Sequence, residues 1–191
     1  MASFPEIYVL RHGETEWNAQ DRLQGVLNAP LTPLGRAQAQ RQAVILQQVD
    51  LSGLRVLCSP QGRAVETAAI AVAGQVPQIH TDVGLREIGV GDWAGAYRQD
   101  LIDSKKISEA EARNLMLYDR APNGEGLMAL ERRCRCFLET LQGPAILITH
   151  GITSRMIRAI ATGQGRDAAG EIGGGQGVVY HVKNSVQKRL E

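Results

Sequence analysis

Short apolar runs alternate along this chain with longer segments in which apolar residues recur at helical spacing. The runs are rich in aliphatic and β-branched residues, which is typical of buried β-strands. They predict strands at Ile7–Leu10, Arg55–Ser59, Val76–Thr81, Ala145–Thr149 and Val178–Val182. We expect the last of these to be an edge strand, followed by a polar tail.

The segments between the runs predict helices. Thr32 is suited to an N-cap and Pro33 to the first turn of a helix that extends towards Gln48. Further helices are expected from Arg63 to a stop at Gly74, over Leu127–Leu141, and from Ile152 to near Gly163. Strands that alternate with helices favour an α/β fold, a three-layer α/β/α sandwich with a mainly parallel central sheet.

Two glycine-rich stretches predict loops. Three glycines between Leu85 and Gly95 indicate a loop built around Trp93. The run Gly170–Gly177 lacks the lysine and the spacing of a nucleotide-binding P-loop and follows no apolar strand, so we expect a turn there.

The polar region at about 96–126 departs from the strand-helix alternation. Ser108 and Glu111 can form a capping box for a helix through Leu115 and Tyr118. Two hypotheses stay open for the region: a lid over the sheet edge, or a solvated excursion with no substrate contact. Its basic residues include Lys105, Lys106, Arg113 and Arg120.

Composition indicates an ordinary globular chain. With 191 residues, 43% hydrophobic and 21% charged, we expect one domain over 1–191 that buries a core without disulfides or metal. The net charge of +1 provides no long-range field toward nucleic acid or membrane. The N-terminal MASFPEIYVL lacks a basic segment followed by a long apolar one, which predicts a cytoplasmic location.

Candidate chemistry is concentrated where the predicted strands end. The first run ends in Arg11 and His12, Arg63 follows the second run closely, and the run at 145–149 ends in His150 and Gly151. The carboxyl ends of parallel strands meet at one edge of a sheet, where ligands bind. Two Arg and two His converging there would suit a phosphomonoester dianion, whereas for Arg11 and His12 alone a structural role is the simpler hypothesis.

No acidic cluster accompanies these histidines at metal-coordinating spacing. Arg11, Arg63 and His150 would therefore supply the positive charge that a metal ion supplies in metal-dependent phosphoryl-transfer enzymes. Gly151 begins a predicted helix and could add a backbone N–H donor. The sequence predicts neither a metal nor another cofactor.

The chain resembles the histidine phosphatase superfamily, also called the phosphoglycerate mutase-like family, in blocks that span nearly its whole length. The blocks are RHGETEWN (11–18), RLQG (22–25), LTPLGRAQA (31–39), SPQGRAVETA (59–68), LREIGVGDWAG (85–95), PNGEG (122–126) and THGITSRMIR (149–158). The resemblance implies a phosphoryl group carried on His12. It also implies a phosphoryl pocket and substrate contacts formed by Arg11, Asn18, Gln24, Gly25, Arg63 and His150.

The resemblance further implies that Glu87 protonates the leaving oxygen and later activates water. By itself, a Glu beside Arg86 would be a solvated ion pair. The family often has Ser where this chain has Gly126, a departure that concerns the lid and the substrate.

The resemblance therefore predicts a metal-independent phosphomonoesterase that acts through a phosphohistidine on a small phosphorylated metabolite. One alternative is a bisphosphoglycerate-dependent mutase, which passes the phosphoryl group to a second substrate oxygen. Such mutases carry an extended insertion after the Glu-bearing loop, for which this chain has little room. The other alternative is a non-catalytic phosphate-recognising module, although His12, Arg63 and Glu87 are all present.

Overall fold

The computed structural model describes residues 4–104, 106–112 and 114–191, and a six-stranded sheet forms its centre. The strand order is β3-β2-β4-β1-β5-β6. The strands β1 to β4 run parallel, and β5 and β6 form antiparallel pairs, β5 with β1 and β6 with β5. In chain order, the strands are β1 (Ile7–Arg11), β2 (Arg55–Cys58), β3 (His80–Thr81), β4 (Ala145–Thr149), β5 (Val179–Lys183) and β6 (Val186–Leu190).

Helices cover both faces of the sheet, which confirms the predicted three-layer sandwich. The helices α2 and α3 pack on one face with the side chains of Tyr8 and Leu10, and α6 and α7 pack on the other with Ile7 and Val9. The helices are α1 (Glu16–Ala19), α2 (Pro33–Leu46), α3 (Gly62–Ala71), α4 (Arg98–Asp103), α5 (Glu109–Ala112), α6 (Leu127–Glu139) and α7 (Gly151–Ala161). Single 3-10 turns lie at Val83–Leu85, Gly91–Trp93, Leu115–Asp119 and Arg166–Gly170.

The strand β1 is the middle of the sheet and is buried on both sides. It pairs in parallel with β4 and antiparallel with β5, and its apolar residues alternate between the two cores. The register places Arg11 opposite Thr149. The residues that follow each strand, His12 and His150, therefore leave the sheet side by side.

The predictions for the third strand, the edge strand and the polar tail are wrong in detail. The third strand comprises only His80–Thr81 rather than 76–81. The strand β5 is not an edge strand, because the expected polar tail is β6, joined to β5 by a two-residue turn. Asn184 and Ser185 adopt φ of 51° and 60° in this turn, as the turn type of a tight hairpin requires. The apolar pattern missed β6 because most of its side chains are exposed.

The region at 96–126 forms a small apolar cluster of its own. Leu101 and Leu117 pack there with Leu23 and the buried Trp93. The predicted capping box is present, because the Glu111 carboxylate accepts from the Ser108 backbone N–H at 2.8 Å. The helix nevertheless ends at Ala112, and a 3-10 turn follows. The predicted lid residues Lys105 and Arg113 lie outside the described residues.

The first turn of α2 rests directly on the loop that carries His12. A Cβ added to Gly13 would overlap the carbonyl of Gly35, and a Cβ on Gly35 would overlap the carbonyl of Glu14. The loop is held further because Glu14 accepts a hydrogen bond from the Thr32 backbone N–H at 2.9 Å. The two glycines therefore set the distance between α2 and this loop.

We predict that Gly35→Ala destabilises the protein by about 1 to 3 kcal/mol and lowers its melting temperature, because backbone atoms must move apart. Alanine is otherwise the better helix former by about 1 kcal/mol, so the effect would run against helix propensity. Gly143→Ala is the matched control, since nothing lies within 4 Å of its added Cβ. Equal melting temperatures for the two variants would contradict the prediction.

Candidate active site

Two buried histidines meet at the carboxyl edge of the sheet. Because β1 and β4 are neighbours, the His12 and His150 rings come within 5.1 Å of each other, centroid to centroid. The exposed fractions of these residues are 2% and 0%. The structure thus brings together the two histidines that the sequence places 138 positions apart.

The hydrogen bonds of His12 define its tautomer. Its Nδ1 lies 2.7 Å from the carbonyl oxygen of Gly13, which only accepts, so the ring proton resides on Nδ1. Its Nε2 accepts from the Nε of Arg63 at 3.3 Å. The Nε2 lone pair is therefore held toward the buried guanidinium group.

Both histidines are held in the neutral form. Burial lowers the pKa of His12 well below 6.5, and the positive charges of Arg11 and Arg63 lower it further. Burial also lowers the pKa of His150, with additional contributions from His12, Arg63 and Arg11. Desolvation and like charge act in the same direction on an imidazole.

Arg63 extends from α3 and is 1% exposed. Besides His12, its terminal nitrogens donate to the carbonyls of Leu27 at 2.6 Å and Gly25 at 3.0 Å. Each terminal nitrogen retains one further hydrogen. Burial is the main cause that lowers the pKa of Arg63 to about 10, so the group stays charged near neutral pH.

Arg11 is the second cation of the site and is half-buried. Its guanidinium group lies against Gly151, where an added Cβ would be 3.4 Å from Cζ and Nε. Arg11 Nε and His150 Nδ1 are among the buried polar atoms that have no hydrogen-bond partner within the described residues. The other ring nitrogen of His150 lies 2.7 Å from Ser59 Oγ. Arg11 Nε and His150 Nδ1 are therefore available to form hydrogen bonds with a ligand beside His12.

Glu87 is fixed at the N-terminus of α7. Its carboxylate accepts from the backbone N–H groups of Ile152 at 3.2 Å and Thr153 at 3.1 Å. The N–H of Ile88 adds a third contact at 3.0 Å. Unpaired N–H groups at a helix start attract anions, which explains why Glu87 is not the solvated partner of Arg86 that its sequence position alone suggests.

The remaining predicted binding residues surround this centre. Asn18 forms a capping box with Thr15 at the start of α1, and Gln24 donates to Thr15 Oγ1 at 2.7 Å. Gly25 contributes its carbonyl to Arg63 and has a φ of +52°. Asn18, Gln24 and Gly25 all line the cleft described next.

A cleft of about 670 Å³ opens over His12. Residues from 96–126 form part of its wall, among them Arg98, Leu115 and Tyr118. They lie where a lid would contact a substrate, and closure itself stays a prediction. The cleft lining also includes Arg11, Arg63, Glu87, Gly151 and Arg155.

Sequence reasoning missed two residues that hold the His12 loop. Gln176 donates from Nε2 to the carbonyl of His12 at 3.2 Å, and Thr67 accepts from the Gly13 N–H at 3.0 Å. Thr67 lies within the SPQGRAVETA block, but its partner 54 residues away gives no sequence signal. Gln176 lies in the glycine-rich stretch that we expected to be only a turn.

Two further observations concern ions and membranes. Over residues 4–104, 106–112 and 114–191, no group of three or more His, Cys, Asp or Glu side chains could hold a metal ion. Within the same ranges, no helix combines the length and the apolar character needed to cross a bilayer.

Known proteins resemble this chain in sequence and in fold. The probable phosphoglycerate mutase GpmB of Escherichia coli K12 is 31% identical over 152 residues, which cover 77% of this chain and 70% of that protein. TTHB049 from Thermus thermophilus has a similar structure, with a TM-score of 0.73 and 31% identity, covering 97% of this chain and 98% of that one. The α-ribazole phosphatase from Shigella flexneri has a TM-score of 0.81 and 25% identity, covering 97% and 94% of the two chains.

A family model covers nearly the whole chain. The model of the histidine phosphatase superfamily, branch 1, matches residues 7–188. This range contains every block on which the sequence resemblance rests. The chain therefore belongs to branch 1 of the histidine phosphatase superfamily.

Proposed function

We propose that the protein is a metal-independent phosphomonoesterase that forms a phosphohistidine on His12 and acts on a small phosphorylated metabolite. Membership of the histidine phosphatase superfamily supports a phosphatase. The observation that carries the mechanism is the state of His12: its proton is held on Nδ1, and its Nε2 lone pair faces Arg63. A neutral imidazole is a competent nucleophile near neutral pH.

In the first step, a phosphoryl oxygen accepts the Arg63 Nε hydrogen bond in place of His12 Nε2. The freed Nε2 lone pair attacks phosphorus, the P–N bond forms and the bond to the leaving oxygen breaks. The phosphoryl oxygens gain charge contacts from Arg11 and Arg63. Arg11 Nε is buried without a partner among the described residues, as is His150 Nδ1. With the Ser59 hydroxyl donating to His150 Nε2, the ring proton of His150 resides on Nδ1. Nδ1 then donates a hydrogen bond to a phosphoryl oxygen. These contacts take the place of a metal ion.

The leaving oxygen requires a proton, and Glu87 is the proposed donor. Its carboxyl group lines the cleft and is fixed by the first turn of α7. In the second step, the same carboxylate removes a proton from water as the water oxygen attacks phosphorus. The P–N bond then breaks, inorganic phosphate is released and neutral His12 is regenerated.

A mutase is the second candidate, because GpmB is named a probable phosphoglycerate mutase. A mutase would form the same phosphohistidine but would return the phosphoryl group to a substrate oxygen. Water must then be kept from the intermediate. The segment between Glu87 and α6, which includes α4 and α5, is short, and this favours the phosphatase.

Rapid quenching during turnover with EDTA present should trap a phosphoryl group on the peptide that contains His12. The label should be labile in acid and stable in alkali, as a P–N bond is. Turnover should remain within about twofold of its rate without EDTA, since no step needs a metal.

His12→Asn is the control for the trapping experiment and should give neither label nor turnover. Label on His150 would exchange the roles of the two histidines. Loss of turnover in EDTA with recovery on adding Mg²⁺ would overturn metal independence.

Glu87→Gln should separate substrates by their leaving groups. We expect kcat to fall by roughly 10² to 10⁴ for an alkyl phosphate, which needs the proton, and by much less for a nitrophenyl phosphate. Glu66→Gln, at a surface ion pair with Arg36, is the matched control. An equal loss with both substrates would count against Glu87 as the proton donor.

The neutral histidines also predict how stability depends on pH. The pKa of each is lowered in the folded protein, so below about pH 6.5 the unfolded chain binds protons that the folded protein does not. The free energy of unfolding is therefore retained above pH 6.5 and falls as the pH decreases, by up to about 1.4 kcal/mol per pH unit for each histidine.

Chemical denaturation between pH 7.5 and 5.5 measures this slope. His12→Asn and His150→Asn should each make the slope shallower, and His80→Asn on the exposed strand β3 is the surface control. A slope that neither active-site variant changes would refute the neutral state of both rings in the folded protein.

A further inference from the structure

Arg155 occupies a distinct position next to the proposed phosphoryl pocket. It lies on α7 four residues after Gly151, so both residues are on the same face of the helix, separated by about 6 Å along its axis. Gly151 contacts the Arg11 guanidinium. Arg155 therefore lines the cleft one helical turn beyond the pocket.

The Arg155 guanidinium forms no hydrogen bond or ion pair with the described residues. It shares this property with Arg11, which the proposed mechanism assigns to the transferred phosphoryl group, and differs from the other arginines of the cleft. Arg98 is paired with Asp21 at 3.1 Å, and Arg22 donates to the carbonyl of Gly95 at 2.8 Å. Arg63 donates to His12 and two carbonyls. Half-buried guanidinium groups usually have such partners.

The glycine-rich stretch holds Arg155 in place. A Cβ on Gly174 would lie 3.0 Å from Nη2 and 3.2 Å from Nε of Arg155, so the guanidinium packs directly on the backbone. The preceding residue, Gly173, accepts from Arg158 Nη2 at 2.7 Å. Gln176 fixes the other end of the stretch through the His12 carbonyl. The stretch is therefore tied to the active site at several points, and Gly174 lines the cleft.

The charge of Arg155 is not balanced locally. It contributes to lowering the pKa of Arg11 and of Arg158 through like-charge repulsion. Arg158 cannot take an additional anion easily, because it is 0% exposed, donates to Ser154 and Gln187, and lies 3.8 Å from the Tyr180 ring centroid. An anion next to Arg155 would relieve this repulsion.

We propose that Arg155 binds a second anionic group of the substrate, so that the preferred substrates are phosphomonoesters with a carboxylate or a further phosphate a short linker away. The proposal rests on the phosphatase function proposed above. A guanidinium group binds either anion with two parallel hydrogen bonds. Arg155 is then a specificity-determining residue, whereas Arg11 and Arg63 contact the phosphoryl group that is transferred.

The test compares kcat/KM for 2-, 3- and 4-carboxyphenyl phosphate with kcat/KM for the corresponding methyl esters. The isomers vary the distance between the anions, and 1,2-, 1,3- and 1,4-phenylene bisphosphates test phosphate as the second group. Taking the acid-to-ester ratio in each variant and dividing it by the wild-type ratio removes the difference in leaving-group chemistry. Wild type should favour at least one charged isomer.

Arg155→Gln should reduce the acid-to-ester ratio of the favoured isomer by about tenfold or more relative to wild type, the loss expected for a charge-assisted contact. Arg155→Lys should reduce this ratio less, because it keeps the charge. Gly174→Val is a second variant, since its side chain displaces the guanidinium without changing the charge. Arg41→Gln, an exposed position on α2, removes the same charge elsewhere and should keep the wild-type ratio.

Equal ratios in wild type and Arg155→Gln for every isomer and bisphosphate would overturn the subsite and leave the phosphatase function intact. Absence of hydrolysis and of phosphohistidine with every substrate would overturn both proposals. Selection of a bisphosphate over every carboxylate would support the subsite and assign phosphate as the second group.

Discussion

The positive charges of two guanidinium groups, which repel each other and disfavour protonation of the imidazole between them, constrain the whole active site. Arg11 and Arg63 both depress the pKa of His12, and burial removes the water that would otherwise screen them. The surrounding framework holds this cluster in place. It consists of the buried strands β1 and β4, the carbonyl acceptors for Arg63 and the close contact between Gly13 and Gly35.

The nearly neutral composition of the chain conceals this local charge. Acidic and basic residues number 20 and 21, and most of the ion pairs lie on the surface, such as Arg36 with Glu66. Glu87, an acidic residue of the centre, is bound by backbone N–H groups. A substrate dianion can therefore take up the interactions of the arginines without displacing a protein carboxylate from them.

The sequence predicted the parts of the structure that depend on local patterns. Apolar runs identified β1 and β4, and the residues after them identified His12 and His150. The strand β6 escaped because an exposed edge strand has no apolar run, and its pairing depends on the turn at Asn184 and Ser185. The contacts of Gln176 and of Glu87 were not predicted for another reason. Each joins segments more than 60 positions apart, as with Glu87 and Thr153, and only the folded chain shows such pairs.

The position of β1 also determines when the site can form during synthesis. Of the described strands, β1 leaves the ribosome first, yet its two neighbours, β4 and β5, begin at Ala145 and Val179. Its central hydrogen bonds must wait until β4 has been synthesised, more than 130 residues later, and pairing over such separations is slow. The nascent chain therefore carries an unpaired apolar strand throughout that interval, and the histidine pair cannot form before His150 has been made.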